Sequence, residues 1–130
     1  MNRVIGSYVI IIIVIGLIGI GGYSIQWYLD RTASQLVVQL EGVQKSVEQE
    51  DWEGSKVAYA GFEENWNTVR KNWAMVIDHM EIDNIEDRLN RGQSYIEAED
   101  AVNAVVEFGA AIMFLEHIPE RERLTLYNIF

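Results

Sequence analysis

Apolar side chains recur at alternating spacings of three and four residues through the middle of the chain. Only Ser55 interrupts this series, whose apolar members are Trp52, Tyr59, Phe62, Trp66, Val69, Trp73, Val76 and Met80. Since an α-helix completes a turn in 3.6 residues, these positions lie along one side of one helix. The series holds three of the four tryptophans, which bury large apolar areas. The pattern therefore predicts a long amphipathic helix on which the other helices pack.

The segment before this helix has the same periodicity with smaller side chains. Between Ser24 and Glu50 the apolar series is Ala33, Leu36, Leu40, Val43 and Val47, and the intervening positions are rich in Gln, Ser and Glu. This pattern predicts an amphipathic helix that is either continuous with the N-terminal stretch or bent at Gly21-Gly22. Asp51 is predicted to cap the next helix, within an acidic group that a helix N-terminus favours.

The phase of the apolar pattern changes after Met80. The next series is Ile82, Ile85, Leu89 and Ile96, and Asp83-Asn84-Ile85-Glu86 has the spacing of a capping box. We therefore predict a break near Glu81 and a third helix that starts at Asp83. The alternative is a single kinked helix that runs to Asn90.

A fourth helix is predicted from Asp100 to Ile118, because Pro119 disfavours helical geometry in the residue before it. It has two apolar seams: Ala101, Ala104, Phe108, Ala111, Leu115 and Val102, Val106, Gly109, Met113. A helix that is apolar nearly all round must be covered on several sides. Either it forms the buried centre of the domain, or part of its surface meets another chain. On the second interpretation, the candidate partner contacts are Phe108, Ala111 and Leu115, with Ile129 and Phe130 of the apolar tail.

The N-terminal stretch has the properties of a membrane anchor. Val4 to Tyr23 contains no charged residue, and twenty residues rising about 1.5 Å each match a hydrocarbon core of roughly 30 Å. We predict a transmembrane signal anchor at residues 1–23 and a bundle domain at residues 24–130. The competing interpretation is a cleaved signal peptide, although no Ala-x-Ala site follows. Arg3 favours a cytoplasmic N-terminus and an extracytoplasmic domain.

Charge and composition exclude several function classes. Twenty acidic and ten basic residues give a net charge of −10, which opposes binding to the phosphates of nucleic acid. The chain has no cysteine, so disulfides, thiolate catalysis and cysteine zinc sites are excluded. We therefore predict no nucleic-acid partner.

One polar cluster could carry chemistry. His79 and Asp83 are four residues apart and would share a helix face with Glu86, so these three side chains are candidate cation ligands. Against this, neither histidine has a glutamate three residues before it, as the di-metal bundle motif requires. Helix caps also explain the acids. No nucleophile motif is present, so we predict no enzymatic activity and no cofactor.

Several short motifs together resemble a known family. They are the anchor, the Trp66-x6-Trp73 pair, Asp78-His79-x-Glu81-Ile82-Asp83, the His117-Ile118-Pro119-Glu120 turn and the terminal Asn128-Ile129-Phe130. The chain resembles domain of unknown function family 4363, which consists of small membrane-anchored helical proteins of Gram-positive, often spore-forming bacteria. The resemblance implies no activity or cofactor. It implies that the Asp78–Asp83 and His117–Glu120 segments lie close together.

The sequence as a whole predicts an all-α protein, in which an N-terminal transmembrane helix is followed by an antiparallel three- to four-helix bundle. The expected function is that of a non-catalytic interaction protein of the cell envelope, as an accessory subunit or homo-oligomer. Its partner would be another membrane protein or a second copy, bound through helix four, the tail, or Gly16, Gly19 and Gly22. The alternative is a ligand- or cation-sensing module centred on His79.

Overall fold

A computed structural model describes residues 2–129 of the chain, with the side chain of Ile129 left out. The described part contains no strand and has four helices: α1 (Asn2–Glu48), α2 (Trp52–Trp73), α3 (His79–Glu97) and α4 (Ala101–Ile129). Short connections of three to five residues join α1 to α2, α2 to α3 and α3 to α4. Connections this short place consecutive helices side by side and antiparallel. The all-α bundle prediction is confirmed.

The first helix is continuous from Asn2 to Glu48, so Gly21-Gly22 produces no break. Its first half projects from the bundle with nearly every side chain exposed, and its buried face begins at Leu29. By length and composition, α1 could cross a membrane, and so could Ala101–Asn128 of α4. The two differ in packing, since the apolar window of α1 is unburied whereas one third of that of α4 is buried.

The predicted aromatic side of α2 forms the bundle core. Tyr59, Phe62, Trp66 and Trp73 are all buried, and the Trp66 and Trp73 rings meet edge to face at 5.9 Å. Tyr59 reaches Phe108 of α4, with ring centroids 5.7 Å apart. The Asp51 cap is also confirmed, because its carboxylate accepts the Gly54 N–H at 3.0 Å.

The predicted position of the break is wrong, because α2 ends about two turns and α3 begins about one turn earlier than predicted. Helix α2 ends at Trp73 and α3 begins at His79, where the Asp78 carboxylate accepts the Met80 N–H at 2.8 Å. Asp83, the predicted cap, lies inside α3 and is exposed. The chain turns early because Trp73 and Ile77 are both buried at the α2–α3 connection, while Met80 stays exposed.

The predicted end of helix four at Ile118 is also wrong, since α4 continues through Pro119 to Ile129. Proline removes one helical hydrogen bond and costs about 3 kcal/mol in a helix interior. Contacts made by Pro119 and by the turn after it hold this part of α4 to other helices. Its carbonyl accepts the Gln26 side-chain N–H at 2.9 Å, and Arg121 and Arg123 form ion pairs with other helices. The His117–Glu120 segment is therefore helical rather than a turn.

Candidate functional site

The candidate site lies at the end of the bundle from which the apolar half of α1 emerges. We call this the near end. It comprises the α2–α3 connection (residues 74–78), the first turn of α3 and the part of α4 after Ile118. Two interactions hold α4 to α1 there. The Gln26 side chain donates to the Pro119 carbonyl, and Arg123 donates to both carboxylate oxygens of Asp30, at 2.9 and 3.0 Å.

The Asp78–Asp83 and His117–Glu120 segments lie together at the near end, as the family resemblance implied. An ion pair joins Arg121 to Glu81. Beside it is a cavity of about 300 Å³ lined by Glu81, Asn84, Phe114, His117, Ile118 and Arg121. Burial, and then the nearby Glu81 carboxylate, raise the pKa of Glu122 above its ordinary value, while Arg121 opposes the rise.

The predicted cation ligands are not gathered into a site. His79 and Asp83 are exposed on α3, whereas Glu86 accepts a hydrogen bond from Arg70 of α2 at 2.5 Å. Within residues 2–129 no group of three or more histidine and acidic side chains is placed to hold a metal ion. The polar side chains of this region are instead used in a helix cap and in ion pairs between helices.

The structure decides which seam of α4 is buried. Phe108, Ala111 and Leu115, predicted as partner contacts, are 0% exposed and lie inside the bundle of this chain. They are therefore not available to a partner, and the interpretation of α4 as a core helix holds for this seam. Ile129 is the last residue of α4, but its side chain lies outside the described part, as does all of Phe130.

The second seam of α4 lies at the surface. Val102, Val106 and Met113 are exposed, and Gly109 between them is half-buried against the Gln44 side chain of α1. These side chains form an apolar stripe on the outside of the bundle. Periodicity identified both seams, but the packing of α4 against α1 and α3 determined which one remained exposed.

Sequence reasoning missed the interactions that hold the near end together. Gln26, Asp30, Arg121 and Arg123 belong to no motif, and Arg123 and Asp30 are 93 residues apart. Their one sequence signal is position: after Arg3, Asp30 is the first charged side chain, and Arg123 is the last in the chain. Position in the sequence shows where the charged residues end in each segment, but it does not show that Asp30 and Arg123 form an ion pair.

Tyr59 provides a titration test of the packing between α2, α3 and α4. Its buried hydroxyl donates to the Leu89 carbonyl at 3.4 Å. Burial, and then the negative charges of Glu63 and Glu86, raise the pKa of this phenol well above its ordinary value. The folded state thus favours the neutral phenol. This contribution to stability is complete below the ordinary pKa of tyrosine and is lost as pH rises above it.

We expect the Tyr59 phenol to remain neutral on alkaline titration until the bundle unfolds. Ultraviolet tyrosinate absorbance followed together with circular dichroism should show a late component that coincides with loss of helix. Tyr59→Phe should remove that component, and Tyr127→Phe, at an exposed position, should leave it in place. A tyrosinate signal that is complete before any helix is lost would contradict the buried placement of Tyr59.

Comparison with known proteins identifies the family but no relative of known activity. A family model described as "Domain of unknown function (DUF4363)" matches residues 23–129, which is 107 of the 130 residues. No curated protein and no solved structure matched the chain. The match includes the bundle and the near-end segments at Asp78–Asp83 and His117–Glu120. The chain therefore belongs to the DUF4363 family, in agreement with the resemblance of its motifs.

Proposed function

We propose that the protein is a non-catalytic, single-pass membrane protein whose helical bundle is held at the membrane surface as an interaction module. The observation that carries this proposal is the continuity of α1, in which one helix is an exposed apolar rod in its first half and part of the bundle core in its second. Each Val, Ile or Leu side chain gains about 1.5–3 kcal/mol on leaving water. A bilayer supplies that environment for residues 4–23.

Because α1 has no break, it determines the height and orientation of the bundle above the membrane. A continuous helix keeps the bundle at a fixed height and orientation relative to the membrane, whereas a flexible linker would let it reach in many directions. Such an arrangement suits contact with a partner in the same membrane. From the position of Arg3 we further propose that the N-terminus is cytoplasmic and the bundle extracytoplasmic.

The surface proposed for the partner is the exposed apolar stripe of α4, formed by Val102, Val106 and Met113. Exposed apolar side chains grouped on one helix face are a feature of interaction sites. The partner would be a second copy or another membrane protein.

The proposal that the protein is not an enzyme is supported by the roles of its polar side chains. Asp78 caps α3, and Glu81 and Glu86 form ion pairs with arginines.

A crosslinking experiment on the full chain in its native membranes tests both parts of this function. With a photo-crosslinking residue in place of Val106, we expect the protein to pellet with membranes after alkaline carbonate extraction and to form one discrete adduct on irradiation. An adduct of twice the chain mass identifies a second copy, and another discrete mass identifies a different subunit. The same residue at Val57, equally apolar and exposed on α2, should form none.

A matched variant tests the anchoring. Four lysines within the span should add about 10–14 kcal/mol to the cost of insertion and release the protein from the pellet. The substitutions are Ile10→Lys, Ile12→Lys, Val14→Lys and Leu17→Lys. Four lysines on exposed bundle positions (Val38, Val57, Val102 and Val106) carry the same added charge and should leave the protein in the pellet. Extraction of the unmodified chain would refute the anchor, and equal labelling at 57 and 106 would refute the interaction surface.

A further inference from the structure

Large apolar side chains are exposed at the near end of the bundle, outside the apolar half of α1. The α2–α3 connection and the start of α3 expose Met75, Val76 and Met80, and the end of α4 exposes Leu124 and Tyr127. These side chains come from two places that are far apart in sequence. They lie at the end of the bundle where α1 leaves it, and α1 itself exposes Tyr23 and Trp27 there.

The last charged side chains of α1 and α4 at the near end contact each other. Asp30 is the last charged side chain of α1 on the way from the bundle to the span, and Arg123 is the last of α4. These two residues bind each other, with Arg123 Nη2 2.9 Å from Asp30 Oδ2. Beyond this pair, α1 is uncharged back to Val4 and α4 is uncharged through Leu124–Ile129. The pair thus marks a common boundary between charged and uncharged surface.

The heights of the helices set this pair close to the end of the predicted span. Pro119 lies level with Gln26, and the ten residues from Glu120 to Ile129 advance about 15 Å along α4. The end of the predicted span, Tyr23, is only about 4.5 Å from Gln26 along α1. The last turns of α4 therefore run beside the first turns of the apolar rod. Asn72 donates to the Tyr28 hydroxyl at 2.8 Å, which sets the α2–α3 connection at a similar height.

The opposite end of the bundle, here called the far end, is more acidic than the near end, where Asp78, Glu81, Glu120 and Glu122 occur together with Arg121 and Arg123. It comprises the α1–α2 and α3–α4 connections with their flanking turns, about 33 Å along α1 from Gln26. Its acidic residues are Glu48, Glu50, Asp51, Glu53, Glu97, Glu99 and Asp100. Carboxylates remain strongly hydrated and are repelled by anionic lipid, so this end favours water. The asymmetry orients the bundle with the near end toward the membrane.

We propose that the near end is a lipid-contacting face, at which Met75, Met80, Leu124 and Tyr127 contact the bilayer that α1 spans. This inference rests on the proposed membrane anchor. Interfacial layers of about 5–8 Å on each side of the hydrocarbon accept such side chains, and tyrosine and tryptophan are enriched there. The bundle is then seated on the membrane at three points: α1, the α2–α3 connection and the end of α4.

Single cysteines in the full chain test this contact directly, because the natural sequence has none. An environment-sensitive fluorophore would be attached at Met75→Cys or Tyr127→Cys, whose native side chains are 81% and 79% exposed. The matched control at the far end is Val57→Cys, where the native side chain is 74% exposed. The proteins are reconstituted into phosphatidylcholine vesicles with and without lipid brominated on its acyl chains.

We expect a blue shift and a loss of emission in brominated lipid for the probes at 75 and 127, and neither change at 57. A probe at Ile12→Cys, within the proposed span, separates the two hypotheses. If it is quenched while 75 and 127 behave like the probe at 57, the lipid-contacting face is refuted and the anchor stands. If none of the probes is quenched, the anchor itself is refuted. An emission change at 75 and 127 that depends on protein density but not on brominated lipid would assign the face to a second copy.

Discussion

Replacing Trp73 with alanine is expected to lower the free energy of unfolding by about 3–5 kcal/mol, the usual cost of emptying a large aromatic site in a core. Trp73 is the largest side chain in the structure that is fully buried. Its indole N–H donates to the Thr32 hydroxyl of α1 at 3.0 Å, and its ring packs on Trp66. The substitution thus removes apolar contacts within α2 and the polar link between α2 and α1.

The measurement is denaturant unfolding of the full chain in mild detergent, followed by circular dichroism. Trp27→Ala is the matched control, because Trp27 is exposed on α1 and a surface change outside the core is expected within about 0.5 kcal/mol. Trp73→Phe should fall between the two, since it keeps a ring and loses the donor. Equal midpoints for the Trp73→Ala and Trp27→Ala variants would show that Trp73 is not the buried centre of this contact.

Gly92→Ala is expected to destabilise the bundle by about 1–3 kcal/mol, the range for forcing additional atoms into a packed core. A Cβ atom at this position of α3 would clash with Cε1 of the Phe108 ring and would lie 2.7 Å from its Cζ. The Phe108 ring has little freedom to move, because it is fully buried and packs on Tyr59. The absence of a side chain at Gly92 therefore allows α3 and α4 to approach closely.

The direction of the stability change distinguishes the clash at Gly92 from the effect of helix propensity. Alanine stabilises an ordinary helix interior by about 0.5–1 kcal/mol relative to glycine. Gly61 of α2 is the matched control, because it is exposed and a Cβ atom there would meet nothing within 4 Å. Gly61→Ala should therefore raise stability while Gly92→Ala lowers it, in the same denaturant assay. Adding Phe108→Leu to Gly92→Ala should relieve part of the clash, and a stabilising Gly92→Ala would contradict the close α3–α4 contact.

The Gly92–Phe108 contact also matters for the proposed function. It fixes α4 against α3 on the inner seam, so that Val102, Val106 and Met113 are left on the surface. At the near end, the Arg121–Glu81 and Arg123–Asp30 pairs continue this attachment past Pro119. The partner stripe and the lipid-contacting face thus both depend on how α4 is held, although neither uses the buried residues themselves.

Periodicity alone predicted the features that depend on local geometry. Tyr59, Phe62, Trp66 and Trp73 share a side of α2 because helical residues three and four apart always do, and the structure buries all four. The apolar length of the N-terminal stretch likewise follows from composition and helical rise. The Asp51 cap depends on a hydrogen bond across only three residues, so it too was predictable.

Tertiary packing decided what periodicity left open. Helix α2 ends at Trp73 because the following connection buries Ile77, and α4 passes through Pro119 because Gln26 and Asp30 hold it to α1 from 93 residues away. Both seams of α4 have helical spacing, and only the neighbouring helices determine that Phe108 is inside and Val106 outside. A sequence pattern fixes which residues share a face of a helix. Which other helix packs against that face depends on contacts between segments distant in sequence, so only the tertiary structure shows it.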